Sequence, residues 1–231
     1  MLSVRNLHSY YGRSHTLHDV SLDLEDRGIV AVLGRNGVGK TTLLKTLMGL
    51  TDRATGEVAF RGRNIVSAPT CDRARMGFGY VPQGRQIIPD FTVRENIVLG
   101  GFAGTRVADP IPAVTRSLFP YIADNLDRRG ALLSGGQQQQ LAIVRALATQ
   151  PDLLLMDEPT EGIQPNIVEQ IEQAIVTLNR DLGIGIVLVD QNIDFARRAA
   201  RTFVLMEKGR VVASGAIGEL TDDLVHRHMA V

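Results

Sequence analysis

The first stretch with residue types suited to a specific chemistry is Gly34-Arg-Asn-Gly-Val-Gly-Lys-Thr41, which fits the pattern G-x-x-x-x-G-K-S/T. Its glycines permit a tight turn whose amide hydrogens face phosphate oxygens, and a helix after the turn directs its positive end toward the same anion. In this pattern the Lys40 ammonium reaches the β- and γ-phosphates, and the Thr41 hydroxyl binds Mg²⁺. The sequence therefore predicts a phosphate-binding loop formed by Asn36, Gly37, Val38, Gly39, Lys40, Thr41 and Thr42.

A second stretch places two carboxylates directly after an apolar run. Asp157 and Glu158 follow residues 153–156, which have the composition of a buried strand. Ligands of open α/β sheets bind at the carboxyl ends of the strands, so these acids stand where they are chemically useful. We predict that Asp157 positions Mg²⁺ and its waters, and that Glu158 orients or deprotonates the water attacking a γ-phosphate. The alternative is an Asp-Glu-Pro turn that merely ends the strand.

Hydrophobic patterns indicate the elements that position these residues. Ile29–Leu33 is typical of a strand buried on both faces, and Leu43, Leu44, Leu47 and Met48 recur at helical spacing after the loop. This strand–loop–helix context favours phosphate binding over a glycine-rich turn with an unrelated lysine. Further strands are predicted at 20–24, 57–60, 77–81, 153–156, 185–189, 202–207 and 210–213, and further helices at 136–149, 167–178 and 193–200.

Residues 88–126 have a different character. They combine apolar helical patches at 93–99 and 114–119 with breaks at Gly100-Gly101, Pro110, Pro112 and Pro120. We interpret this segment as a small helical subdomain inserted into an α/β core.

Length and composition limit the class of protein. The chain has 231 residues, of which 44% are hydrophobic, and equal numbers of basic and acidic residues give a formal net charge of zero. One globular domain over residues 1–231 is expected, without the global basic field of a nucleic-acid-binding protein. Cys71 is the only cysteine, residues 1–10 lack a secretory signal pattern, and no apolar run has the ~18–20 residues that span a bilayer. We expect a cytoplasmic protein that reaches membranes through partners.

The run Leu133-Ser-Gly-Gly-Gln137 identifies the class of nucleotide protein. Ser134 and two glycines precede a predicted helix and form a second anion-binding helix start, with an ordinary N-cap turn as the alternative. At this point the chain resembles the ATP-binding cassette family, whose signature reads Leu-Ser-Gly-Gly-Gln. The resemblance implies that Ser134, Gly136 and Gln137 bind the γ-phosphate held by an opposite subunit, so that two chains form each ATP site.

The resemblance covers nearly the whole sequence and implies further roles. Tyr11 matches the aromatic that stacks on adenine, with Tyr10 as the less favoured candidate, and Gln83 matches the glutamine that contacts Mg²⁺ and water. The implied fold is α/β, a P-loop NTPase core with a mixed sheet, an N-terminal antiparallel β region and an inserted helical subdomain. The core would comprise about 1–87 and 127–231, the subdomain about 88–126, and the ligands would be ATP and Mg²⁺.

Two positions depart from the family pattern. Gln191 stands where the family usually has a histidine that contacts the γ-phosphate, and Gln164 stands where an aspartate usually communicates across the dimer. A glutamine amide still forms hydrogen bonds, but it carries no charge and does not titrate. The implied catalytic set is Glu158, Gln83 and Gln191. A regulatory subunit with weak hydrolysis, paired with a more active ATPase, is therefore an alternative to a full ATPase.

The chain looks most similar to the second ATP-binding subunit of branched-chain amino-acid and urea importers. The stretches 34–40, 81–85, 161–165 and 228–231 look most like the urea branch. This resemblance implies a second ATPase subunit, identical or different, two transmembrane permease subunits, and indirectly a solute-binding protein. It implies a location on the inner face of the membrane and urea as the solute, with branched-chain amino acids as the alternative. A cassette protein of DNA repair or translation is disfavoured by the short chain and zero net charge.

Overall fold

The computed structural model describes residues 1–102 and 111–229; the predicted break at Pro110 and the end of the 228–231 stretch lie outside them. The strands are β1 (Leu2–Tyr11), β2 (Ser14–Leu24), β3 (Ile29–Leu33), β4 (Arg53–Phe60), β5 (Arg63–Asn64), β6 (Phe78–Val81), β7 (Leu153–Asp157), β8 (Gly185–Val189), β9 (Thr202–Glu207) and β10 (Arg210–Ala216). The helices are α1 (Lys40–Met48), α2 (Thr70–Arg75), α3 (Val93–Gly101), α4 (Thr115–Leu118), α5 (Pro120–Asp124), α6 (Gly135–Leu147), α7 (Pro165–Leu182), α8 (Ile193–Ala199) and α9 (Asp222–Met229).

The central sheet has the strand order β10-β9-β3-β8-β7-β6 and is parallel except for the β9–β10 pair. All residues of β3, β7 and β8 are buried, as the continuous apolar runs predicted. Val32 pairs with Val189, and Val189 pairs with Asp157. The phosphate loop and the acidic pair therefore lie close together, at the same edge of the central sheet.

A second, antiparallel sheet has the order β2-β1-β4-β5. Its apolar side chains, with those of α1, form a core against one face of the central sheet, while α6, α7 and α8 cover the other face. The predicted α/β class, mixed sheet and N-terminal antiparallel region are confirmed. β1 shows no continuous alternation in the sequence because its register shifts between Val4 and Leu7, where Asn6 has a φ of 48°.

Helix α1 is bounded at both ends by residues in the left-handed region, Gly39 with a φ of 106° and Gly49 with a φ of 72°. At the C-terminal end, the Arg73 guanidinium of α2 donates to the carbonyls of Thr46 and Leu47, both at 2.8 Å. Arg73 is only 2% exposed. Its positive charge lies where the helix dipole is negative. It binds the Leu47 carbonyl near the helix end and adds a second donor to the Thr46 carbonyl, which also accepts from the Gly49 amide at 3.0 Å.

Between β6 and α6 the chain forms α3, α4 and α5, and both α3 and α5 pack against α6. α3 begins with a reciprocal capping box between Thr92 and Glu95. The predicted single helical patch at 114–119 is interrupted at Phe119, because Pro120 follows it and disfavours helical backbone there. Within the described residues no helix is both long and apolar enough to cross a bilayer.

Candidate nucleotide-binding site

A cavity of about 400 Å³ opens at the carboxyl edge of the central sheet. The phosphate loop, the start of α1, the residue after β7 and the loop after β6 meet there. Its lining residues are Thr16, Asn36, Gly37, Gly39, Lys40, Thr41, Thr42, Gln83 and Glu158. The structure thus brings together in one cavity most of the residues predicted to bind phosphate and two of the three predicted catalytic residues.

Lys40 lies at the centre of the phosphate loop and is 4% exposed. Its ammonium donates to the carbonyls of Gly34 at 2.8 Å and Arg35 at 3.0 Å, and lies 3.2 Å from Glu158 Oε1. The loop carbonyls fix the direction of the side chain, and the ion pair compensates the buried charge. This geometry holds a cation beside the start of α1, where phosphate binding requires one.

Glu158 is 8% exposed and contacts each of the other predicted catalytic groups. Gln83 Nε2 donates to Oε2 at 3.3 Å, and Gln191 Nε2 lies 3.3 Å from both carboxylate oxygens. The backbone of Glu158 has a φ of 47°, an unfavourable conformation for a residue with a Cβ, and its amide donates to the Val189 carbonyl at 2.8 Å. Strain of this kind is common at functional sites, where neighbouring strands hold it in place.

Asp157 lies beside Glu158 and is fully buried. Its Oδ1 accepts a hydrogen bond from Thr41 Oγ1 at 3.1 Å, whereas Oδ2 accepts none from the described residues. Burial, together with the Glu158 charge, raises the pKa of Asp157 to about 6, against a smaller lowering by the Thr41 hydrogen bond. A buried carboxylate oxygen with an unused lone pair is the ligand that a hard cation needs.

The residues present fit Mg²⁺ in the form that phosphate-binding enzymes use. The described residues contain no group of three or more His, Cys, Asp or Glu side chains that could hold a metal alone. Mg²⁺ bound to substrate phosphates usually takes only one or two carboxylates, with water and phosphate oxygens completing its octahedron. Asp157 and the Thr41 hydroxyl supply such a partial set.

Gln191, which replaces the usual histidine, joins two parts of the site. Its Nε2 lies 2.8 Å from Asn36 Oδ1 of the phosphate loop as well as 3.3 Å from Glu158. The preceding Asp190 carboxylate accepts from the amides of Gln191 at 2.7 Å and Asn192 at 2.9 Å, which fixes the turn. Burial raises the pKa of Asp190. Gln191 can therefore position Glu158 without carrying a charge.

The signature residues lie at the start of α6, where Ser134 is exposed, Gln137 is partly buried and Gly136 is buried. Ser134 is the exposed N-cap of α6: its Oγ accepts from the Gln137 amide at 3.4 Å, and Gln137 Oε1 accepts from the Ser134 amide at 2.9 Å. Gly136 is packed against Ile167, so closely that a Cβ would come within 2.7 Å of it. In the described part of the chain, Ser134, Gly136 and Gln137 do not line the Lys40 cavity.

Tyr11 is 37% exposed at the end of β1 and, among the described residues, is likewise outside the cavity lining. Three residues near the site had no predicted role. Thr16 of β2 lines the cavity, Glu161 Oε2 accepts from Gln83 at 2.9 Å, and the buried Tyr80 hydroxyl has no hydrogen-bond partner among the described residues. Burial and the neighbouring Asp157 raise the pKa of Tyr80. Tyr80 and Glu161 each lie close to a motif in the sequence, which was the one signal that could have pointed to them. Thr16 had no such signal.

Comparisons with known proteins show which family the chain belongs to. The family model described as ABC transporter matches residues 17–161. The high-affinity branched-chain amino acid transport ATP-binding protein BraG of Pseudomonas aeruginosa is 38% identical, over 92% of this chain and 91% of its own. The probable branched-chain amino acid transport ATP-binding protein LivF of Archaeoglobus fulgidus is 35% identical, over 96% of this chain and 94% of its own.

Solved structures show the same architecture. A dimeric ATP-binding cassette in a post-hydrolysis state, bound to ADP and Pi, superposes with a TM-score of 0.78 and 26% identity. The match covers 94% of this chain and 99% of that one. A family match over more than half of the chain, a relative above 30% identity along almost its full length, and a shared fold lead to one conclusion. The chain belongs to the ABC transporter family and is one of its ATPase domains.

Proposed function

We propose that this ATPase domain binds Mg-ATP at the Lys40 cavity and hydrolyses it through Glu158. The observation that carries the proposal is that Lys40, Gln83 and Gln191 all contact the Glu158 carboxylate. Beside it lies Asp157 Oδ2, which has no hydrogen-bond partner among the described residues. Lys40 and the loop amides would hold the β- and γ-phosphates, and Tyr11 would stack on adenine. Bound at Asp157 and Thr41, Mg²⁺ would neutralise phosphate charge and complete the site.

Glu158 would act on the attacking water. Its carboxylate, oriented by the two glutamine amides, accepts the water proton as the oxygen attacks the γ-phosphorus and the bond to the β-phosphate oxygen breaks. Gln83 and Gln191 each present an amide to this carboxylate, so both can direct it toward the water. The absence of a titrating histidine at 191 leaves Glu158 as the group that receives the proton.

The ATP site would be completed by a second ATPase subunit. Ser134, Gly136 and Gln137 form a helix start whose cap residue Ser134 is exposed, and among the described residues none of the three lines the cavity of its own chain. Facing the cavity of a second subunit, the amides of this helix start would bind the γ-phosphate. The dimeric cassette structure with ADP and Pi supports such an arrangement. Loss of the γ-phosphate would remove the bridge and let the subunits separate.

We propose that the pair drives an importer, on the inner face of the membrane, with two transmembrane permease subunits and a solute-binding protein. Two solutes have specific support. The names of the BraG and LivF relatives favour branched-chain amino acids. The stretches 34–40, 81–85 and 161–165 favour urea by their resemblance to that branch of importers. ATP-dependent uptake of labelled leucine and labelled urea into proteoliposomes containing the purified complex would decide between them.

The central test is affinity purification of the tagged chain from membranes, followed by identification of the subunits that accompany it. We expect two permease subunits and an ATPase. The Glu158→Gln variant, saturated with Mg-ATP, should pair with itself or with that ATPase on size-exclusion chromatography, because ATP remains uncleaved. If the variant stays monomeric with both, the proposed shared site is wrong.

A regulatory role is favoured by two observations, the uncharged Gln191 beside Glu158 and Gln164 at the start of α7. In that case the chain alone would bind ATP and turn it over slowly. ATPase activity should then be measured for the purified chain with and without its partner. Robust turnover by the chain alone that Glu158→Gln abolishes would exclude the regulatory role.

A further inference from the structure

The loop after Gln83 has an unusual backbone. Gly84, Arg85 and Gln86 all have positive φ, at 75°, 67° and 46°. Glycine adopts this region freely, but Arg85 and Gln86 carry a Cβ that crowds the backbone there. The Gln86 amide donates to the Gly84 carbonyl at 2.7 Å, which tightens the turn further. A run of left-handed residues next to a predicted catalytic glutamine requires other groups to hold it.

Arg145 is the group that holds the outer face of this turn. Its guanidinium donates from Nη1 to the Gln86 carbonyl at 2.7 Å and from Nη2 to the Arg85 carbonyl at 3.1 Å. The left-handed conformations point these two carbonyls the same way, so that one planar fork reaches both. Burial lowers the pKa of Arg145, yet arginine stays charged at any physiological pH. The fork is therefore a permanent double donor to the strained turn.

The Arg85 side chain ties the same turn to two other parts of the site. Its Nη1 donates to Gln138 Oε1 and its Nη2 to the Gly162 carbonyl, each at 3.4 Å. The guanidinium also lies over the first turn of α6, where a Cβ on Gly135 would come within 2.8 Å of it. Gln138 belongs to α6, and Gly162 follows Glu158 in the chain. The turn is thus fastened to α6 at two places and to the loop after Glu158.

α6 carries both Arg145 and the Ser134 cap. Ser134 and Arg145 are eleven residues apart in the sequence, which corresponds to roughly 16 Å along a helix. A helix of this length moves as a rigid body, so a displacement of its start also displaces the Arg145 fork. Gln83, in turn, donates to Glu158 at 3.3 Å and to Glu161 at 2.9 Å.

We propose that Arg145 is a positioning residue for the reaction: it holds the left-handed turn 84–86 and thereby sets Gln83 against Glu158 according to the position of α6. The inference rests on the proposed function, because Gln83 affects turnover only if Glu158 hydrolyses ATP. It assigns to one side chain the coupling between the signature helix and the catalytic carboxylate. Arg85 strengthens the same connection from the opposite side of the turn.

The test is Arg145→Lys in the complex purified from membranes. Lysine keeps the charge but replaces the planar fork with a single ammonium, which does not bind both carbonyls in the same way. We expect kcat to fall about 10-fold, while the Kd for a fluorescent ATP analogue, measured without turnover, changes less than about 2-fold. The control is Arg128→Lys, since Arg128 also donates to Tyr121 Oη and the Leu132 carbonyl but, among the described residues, has no hydrogen bond to the 84–86 turn.

Two further variants separate positioning from general support of the fold. Adding Gln86→Gly to Arg145→Lys should restore at least half of the lost kcat, because glycine adopts the left-handed conformation without a clamp. In a Gln83→Ala background, Arg145→Lys should have no further effect on kcat. The proposal would be overturned if Arg145→Lys lowered kcat by the same factor in the Gln83→Ala background as in the unmodified protein. It would also be overturned if Gln86→Gly restored none of the lost kcat.

The failure of this inference is distinguishable from the failure of the proposed function. If Glu158→Gln abolishes turnover and Arg145→Lys leaves kcat unchanged, the proposed function stands and the role of Arg145 is wrong. If Glu158→Gln leaves turnover intact, the proposed hydrolysis through Glu158 is wrong, and the role of Arg145 that rests on it is wrong as well. Thermal unfolding of each variant should be recorded in parallel. A loss of kcat in the absence of a lower melting temperature supports positioning.

Discussion

Helix α1 follows a glycine-rich loop and helix α6 begins with two glycines, yet the surroundings of the two N-termini differ. Among the residues that the structure describes, no side chain caps α1, and its first residues line a cavity together with Glu158 and Gln83 of the same chain. At α6, Ser134 and Gln137 satisfy each other's amides in a capping box at an exposed position. A helix start inside its own cavity can bind an anion alone, whereas a capped one at the surface needs a ligand delivered by another molecule. In the proposed dimer, one chain would therefore supply two unequal halves of an ATP site.

The largest effect should come from removing the cation of the α1 half. Lys40→Ala deletes a charged donor to phosphate, each such hydrogen bond being worth ~1.5–3 kcal/mol. We expect ATP binding by the isolated chain to weaken at least ~100-fold. Titration with a fluorescent ATP analogue measures this, with Lys208→Ala as the control, because the Lys208 side chain is exposed and its ammonium lies 3.8 Å from Glu207 Oε1. A loss below about threefold would show that the cavity does not bind phosphate.

The α6 half should behave differently. Ser134→Glu places a negative charge where a γ-phosphate is expected, and like-charge contact at an interface costs several kcal/mol. ATP affinity of the isolated chain should stay within about twofold, whereas turnover of the complex should fall ~10–100-fold and ATP-driven pairing of the Glu158→Gln variant should be lost. Ser117→Glu, at an exposed position of α4, is the matched control. Equal loss of affinity in Ser134→Glu and Lys40→Ala would place both loops in one site of one chain.

The pH dependence of the free energy of unfolding should also differ between a buried acid of the cavity and an acid on the surface. Because burial raises the pKa of Asp157 from 3.8 to about 6, the folded state binds more protons than the unfolded state between these values. Stability therefore falls as pH rises from about 4 to about 6, and the full penalty remains at higher pH. Asp157→Asn should raise the free energy of unfolding at pH 7 by on the order of 1–3 kcal/mol.

This gain should grow from about pH 4 to about pH 6 and then stay constant. Urea denaturation at several pH values with EDTA present measures it, and Asp127→Asn, at an exposed position, serves as the control. A destabilised Asp157→Asn protein at pH 7 would contradict the burial argument. Asp157→Asn should also lose the Mg²⁺ dependence of ATP binding. The carboxylate at position 157 would thus lower the stability of the fold and be retained because it binds the ligand.

The smallest effect is expected at Gln191. Gln191→Ala removes the amide between Asn36 and Glu158, but Lys40 and Gln83 still contact the carboxylate. We expect kcat of the complex to fall ~3–10-fold, equivalent to about 1 kcal/mol of transition-state stabilisation, at unchanged ATP affinity. A loss of ~100-fold or more would show that Gln191 acts as more than a positioning group.

Continuous apolar runs were the most reliable signal for the fold. β3 and β8 have the bounds that the sequence predicts, because strands buried on both faces need apolar side chains at every position. β1 lacks such a run, since its bulge near Asn6 interrupts the alternation. α2 and α9 were missed for another reason. Both are short and mostly polar, and tertiary contacts rather than periodicity hold them in place.

For the site, the motifs predicted which residues meet but not how they are held. Lys40, Asp157 and Glu158 come together because parallel strands end at one edge, which follows from topology. The contact of Arg145 with the Gln86 carbonyl joins residues 59 positions apart through a left-handed turn. Arginine and glutamine rarely adopt positive φ, so no pattern in the sequence predicts that turn.

The guanidinium of Arg73 at the far end of α1 has a consequence for interpreting variants. It is buried, it binds carbonyls at 2.8 Å, and it lies a full helix away from the phosphate loop. Its loss would deprive the Leu47 carbonyl of this partner in the interior, at a cost of the order of 1–3 kcal/mol, whereas the Thr46 carbonyl would keep the Gly49 amide, which donates to it at 3.0 Å. A cell carrying such a change would contain less of this subunit. The copies that did fold would work at the normal rate, and a transport defect from that position should be traced to abundance.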